Sequence, residues 1–118
     1  MINKKGVNNM LMNEYQDKAL ETATFPDVGG HGWIYPAFGL AGETGEIMEK
    51  FKKILRDKNG VINETDRLEI GKELSDVAWY LVVLAKKLGF TFDEIGIINL
   101  TKLASRKERG VLQGSGDN

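Results

Sequence analysis

Beyond Pro36 the apolar residues fall at positions 37, 40, 41, 44, 47, 48, 51, 54 and 55, counting Thr44 as tolerated, in steps of threes, fours and ones. That spacing gathers them along one side of a helix with 3.6 residues per turn. Pro36 suits the first turn, where proline's missing N–H would be unpaired anyway. Lysines and Arg56 crowd the C-terminal half, as the helix dipole favours, and Asn59-Gly60 supplies the turn that follows. Upstream, Asn13 followed three residues later by Gln16 reads as a capping box, opening a short first helix that stops before Phe25-Pro26. The glycine-rich DVGGHGWIY joins the two helices as a loop. Downstream, Asn63 or Thr65 caps a third helix of about 24 residues, with Glu64 and Asp66 in its first turn and Gly89 where a left-handed C-terminal residue belongs. Thr91 with Glu94 is another capping box, opening a fourth helix that runs to about Arg109 and ends at Gly110. No stretch alternates as a strand would. The pattern predicts an all-α, four-helix, bundle-like protomer: residues 1–12 an N-terminal extension, 13–109 the helical domain, 110–118 an irregular tail.

The third helix is apolar all the way round from Val77 to Ala85. A helix of that kind is surrounded, and four helices in one small protomer cover about two of its sides, so the pattern predicts a homo-oligomer in which a partner subunit packs on this segment.

Composition narrows the class. The chain has 118 residues, 42% of them apolar, enough for one domain with a single core. A formal net charge of −1 with both signs spread along the chain gives no electrostatic case for nucleic acid or an anionic membrane as partner. The absence of cysteine excludes disulfides, thiol nucleophiles and metal–thiolate centres. His31, the only histidine, reads as an exposed loop residue. The longest apolar run, VAWYLVVLA, is far short of the roughly 20 residues a membrane span needs, and no signal-peptide pattern opens the chain. A cytoplasmic protein is the expectation.

The chemistry begins with acidic pairs. Glu43 and Glu46 are neighbours one turn apart on the second helix, as are Glu73 and Asp76 on the third, with 26 residues between the pairs. Either pair alone is commonplace on a solvated face. Glu43 and Glu73, however, border the apolar stripes, so packing the two helices antiparallel brings four carboxylates into one cleft. Such a group must take up protons or hold cations. An all-oxygen set without His or Cys selects hard ions, Mg²⁺ first and Mn²⁺ second. A di-iron bundle wants Glu-x-x-His pairs, and the sequence has none. Lys50 and Lys53 continue the line of Glu43 and Glu46, while Asn99, Lys102, Arg106 and Arg109 form a polar, basic stripe on the fourth helix, suited to a polyphosphate if it faces the cleft. Trp33, Tyr35, Phe38 and Tyr80 are candidates to stack on a base, or simply core. Gly39, Gly42 and Gly45 thread the second helix at roughly 1 kcal/mol each, a cost that makes sense if a helix or a metal-bound triphosphate approaches closely there.

Taken in order, GLAGETGE, KELSDVAWYL and NLTKLASRKERG resemble the MazG-like, all-α nucleoside triphosphate pyrophosphatases, from about Tyr15 to the C-terminus. The resemblance implies a helical homodimer or dimer-based tetramer that hydrolyses nucleoside triphosphates to the monophosphate and pyrophosphate with Mg²⁺. It makes Glu43, Glu46, Glu73 and Asp76 the catalytic metal ligands and has Asn99 and Lys102 contact the nucleotide. Lys50, Lys53, Tyr80 and Arg106 join as substrate-binding residues on the stripe and stacking arguments. The competing reading is a non-catalytic helical nucleotide-sensing or protein-interaction module.

Overall fold

Asn59 and Gly60 both enter the left-handed region, at φ 52° and 77°, and this ends the long helix α2 (Ile34–Lys58) and reverses the chain into α3 (Glu64–Lys87). Asn63 caps α3 by accepting from the Asp66 N–H at 2.8 Å, while the Asp66 carboxylate accepts from the Asn63 N–H at 3.1 Å. Lys58 reaches back to Asp66 at 2.7 Å and clamps the turn. In this computed structural model, residues 10–113 are described, and α1 (Met12–Leu20) and α4 (Phe92–Glu108) complete an all-helical order with no strand among the described residues. The expected extension and tail are therefore described only at residues 10–12 and 110–113.

α2 and α3 run antiparallel, with Gly39 against Tyr80, Glu43 near Glu73 and Asp76, and Lys50 beside Glu69 and Glu73. Pro36, Ile47 and Ile54 of α2 and Ile70, Val82, Val83 and Ala85 of α3 form the core with Ala19 of α1. Apolar burial of this kind is worth about 1.5–3 kcal/mol per large side chain. The expected stripe of α2 is only partly used, because Ala41, Thr44, Met48, Phe51 and Leu55 remain exposed.

The first helix corrects the sequence reading. Leu11, not Asn13, is its N-cap, and no side chain caps it. Asn13 and Gln16 instead serve the start of α4. The Gln16 side-chain oxygen accepts from the Phe92 N–H at 3.0 Å, Asn13 from the Asp93 N–H at 2.9 Å, and Thr91 from the Glu94 N–H at 3.2 Å. Three otherwise orphaned donors of α4 are thus satisfied, two of them by side chains from α1. Gln16 is fully buried and also donates to the carbonyls of Val82 and Phe90, at 2.9 and 3.1 Å.

Every residue of the segment Val77–Ala85 is buried or half-buried within the protomer, under α1, α2 and α4. Open apolar surface lies elsewhere, at Phe38, Met48 and Leu55 of α2 and at Ile97, Ile98 and Leu100 of α4. Gly89 and Gly110 end α3 and α4 at φ 86° and 70°. Among the described residues, no helix is long and apolar enough to cross a membrane.

Candidate metal and nucleotide site

Antiparallel packing of α2 and α3 brings three of the four expected carboxylates together. One oxygen each from Glu43, Glu73 and Asp76 lies within 4.8 Å of the others. Glu43 and Glu73 are half-buried and Asp76 is exposed. Glu46 lies outside this group, exposed, one turn further along α2. It is nonetheless close enough for its charge to act on Glu43. Loss of hydration, then the facing carboxylates of Asp76, Glu73 and Glu46, push the Glu43 carboxyl above its ordinary range. Crowded hard oxygens at a half-open rim suit a divalent ion of the Mg²⁺ type, which takes a few carboxylates and keeps other positions for water and phosphate.

Lys50 is drawn into the acidic group, its Nζ 3.7 Å from Glu73 and 3.9 Å from Glu69. Lys50 and Lys53 line a groove of about 190 Å³ between α2 and α3, with Ile54, Asp57, Lys58 and Asp66 among its walls. The basic stripe of α4 does not join them. Asn99 and Lys102 are exposed, Arg106 is half-buried with a buried Nε that has no hydrogen-bond partner among the described residues, and none of the three lines this groove. α4 packs on α1 and α3, and none of its residues is fully buried.

On the other side of the carboxylates is an aromatic cleft of about 440 Å³, lined by Ile34, Tyr35, Phe38, Gly39 and Tyr80. The connection from α1 is pinned to it. Phe25 stacks on Tyr35 at 4.8 Å between centroids, Trp79 meets Phe25 edge-on at 6.3 Å, and the Trp79 indole donates to the Thr22 hydroxyl at 2.9 Å. Burial raises the Tyr80 hydroxyl above its ordinary pKa, followed by the neighbouring Tyr35 hydroxyl and the charges of Glu43 and Asp76. Trp33 and His31 are exposed, with rings 5.7 Å apart.

Tyr15 escaped the sequence reading. Burial raises its hydroxyl pKa, and the Asp76 charge raises it further, so α1 reaches the edge of the acidic group. No sequence signal connects positions 61 residues apart. The three helical glycines also separate. Gly39 meets Tyr80, whereas a Cβ at Gly42 or Gly45 would meet nothing within 4 Å among the described residues, so no helix packs closely at those two.

Comparison with known proteins agrees with this geometry. The sequence model of the MazG nucleotide pyrophosphohydrolase domain family matches residues 37–111, a span holding all four acidic positions. A protein named "Gene 37 protein", from Mycobacterium phage L5, is 48% identical, over 92% of this chain and 99% of its own length. No solved structure matches.

Proposed function

Because this chain belongs to the MazG nucleotide pyrophosphohydrolase family, we propose that it hydrolyses nucleoside triphosphates to the monophosphate and pyrophosphate with Mg²⁺, or Mn²⁺ as substitute, and so clears unwanted nucleotides from the pool. The observation that carries this reading is the group of three carboxylate oxygens within 4.8 Å on facing helices. Glu43, Glu73 and Asp76 would hold the ion, with Glu46 as the fourth acidic residue. When bound, a divalent ion acidifies a water molecule and screens the charge of the triphosphate.

The chain's own residues divide the remaining work. Glu46, exposed and outside the three-oxygen group, is the carboxylate free to take the proton of the attacking water. Lys50 and Lys53, further along α2, offset the charge on the departing pyrophosphate. The rings of the cleft, Tyr80 among them, give the base an apolar face to stack on. Asn99, Lys102 and Arg106 contact the nucleotide once the chain assembles as a homodimer or a dimer-based tetramer. Supporting that assembly, α4 has no fully buried residue within the protomer and exposes Ile97, Ile98, Leu100 and Leu103.

A panel of ribo-, deoxy- and modified nucleoside triphosphates and diphosphates, incubated with Mg²⁺ and scored for pyrophosphate against orthophosphate, tests the reaction. Pyrophosphate and nucleoside monophosphate in equal amounts support it. Orthophosphate as the first product, or no release from any nucleotide, refutes it and favours the non-catalytic module.

A further inference from the structure

The α2 backbone at Gly39 and the ring of Tyr80 meet more closely than any side-chain-bearing residue allows. A Cβ built on Gly39 would stand 2.1 Å from Tyr80 Cε1, 2.4 Å from Cζ and 2.5 Å from Cδ1. Carbon atoms in ordinary contact keep about 3.5–4.0 Å. Trp79 meets the ring edge-on at 5.0 Å between centroids, and Tyr35 stands at 6.4 Å. Tyr80, Gly39, Tyr35, Phe38 and Ile34 are the lining of the aromatic cleft. That cleft adjoins the acidic group, since Tyr80 lies one turn beyond Asp76 and Gly39 one turn before Glu43.

We propose that Gly39 is a positioning residue that sets the width of the nucleobase cleft: by letting the Tyr80 ring sink onto α2, it leaves a slot wide enough for a purine. The inference rests on the reading of the chain as a nucleoside triphosphate pyrophosphohydrolase. A methyl group at position 39 drives the ring more than an ångström off α2. With Trp79 edge-on against it, the ring gives way into the slot on the Tyr35 side, and the larger base loses its place first. An obstruction of methyl size in a binding pocket is worth about 10–200-fold in discrimination.

The test compares wild type with Gly39→Ala on purine and pyrimidine deoxynucleoside triphosphates with Mg²⁺, reading kcat and KM from pyrophosphate release. The purine-to-pyrimidine ratio of kcat/KM falls about tenfold or more in the variant, through KM, with kcat changed by less than about threefold. Gly71→Ala makes the same change in a helix where nothing lies within 4 Å, and it keeps the wild-type ratio. An unchanged ratio in Gly39→Ala, or a loss confined to kcat, overturns the proposal. Should Gly39→Ala lose its helical circular dichroism and cooperative melt, Ile34→Phe decides: by narrowing the same cleft without removing a stacking ring it lowers the ratio, and a ratio that holds or rises overturns the proposal. Should wild type release no pyrophosphate, the proposed reaction fails by itself. Calorimetric affinities for the intact triphosphates then apply the same ratio criterion to Gly39, and a wild type that binds none of them overturns both.

Discussion

Replacing Glu43 with glutamine removes one charge from the acidic group while nearly preserving its shape, and in the absence of metal this makes the protein more stable. The oxygens of Glu43, Glu73 and Asp76 lie within 4.8 Å of one another. Two unit charges at that separation repel by about 1 kcal/mol in water and about 3.5 kcal/mol at an effective dielectric constant of roughly 20. Asp76 is exposed, and Lys50 stands 3.7 Å from Glu73, so screening keeps the relief near the lower figure. In a chelator at neutral pH, Glu43→Gln is therefore about 1 kcal/mol more stable than wild type, roughly 5 °C in midpoint for a domain of this size. The sign of the pH dependence follows from the raised Glu43 acid. Burial first, and the facing carboxylates next, make the folded state hold this proton more tightly than the unfolded chain does. Its contribution to wild-type stability is complete below the ordinary value of 4.5 and is lost as pH rises through the raised value. The advantage of the variant grows across that window and levels off above it. Mg²⁺ reverses the order, because it neutralises the wild-type group and finds one ligand fewer in the variant. Urea denaturation followed by circular dichroism at low salt, with chelator and with Mg²⁺, measures all three effects. A variant less stable than wild type in chelator at neutral pH would refute the repulsion.

Two further predictions concern the scaffold beneath the site. Asn63→Ala removes the side-chain acceptor of the Asp66 N–H, seen at 2.8 Å, and costs about 1 kcal/mol of stability, read as a shift in denaturant midpoint at constant slope. Gln16→Leu strips the Phe92 N–H of its acceptor and the Phe90 and Val82 carbonyls of a donor, and costs about 2–3 kcal/mol in the same assay. A Gln16→Leu midpoint equal to wild type would show that water replaces the side chain there.

Wherever the signal was local, the sequence carried it. Asn59-Gly60, Asn63 with Asp66, Gly89 and Gly110 each act within a few residues, and each marks a helix end where the backbone requires one. The acidic pairs were legible because one helical turn separates each pair and a short turn joins the two helices, so antiparallel packing alone nearly superposes them. Signals that depend on the partner across a contact were misread. Asn13 and Gln16 have the spacing of a capping box, but they are spent on α4, some 76 to 80 residues away. The apolar girth of α3 marks it as central, but which helices cover it depends on where α1 and α4 lie, which periodicity does not encode. Among the helical glycines, only the Tyr80 ring distinguishes Gly39 from Gly42 and Gly45.

The central claim is that the acidic group on α2 and α3 holds the ion that drives nucleoside triphosphate hydrolysis. Its most direct test is Mg²⁺-dependent pyrophosphate release by Asp76→Asn and Glu46→Gln, each with its helical circular dichroism confirmed beside wild type. Both variants are expected to fold and to lose turnover at every Mg²⁺ concentration. A folded Asp76→Asn that turns over at the wild-type rate and with the wild-type Mg²⁺ dependence would contradict it.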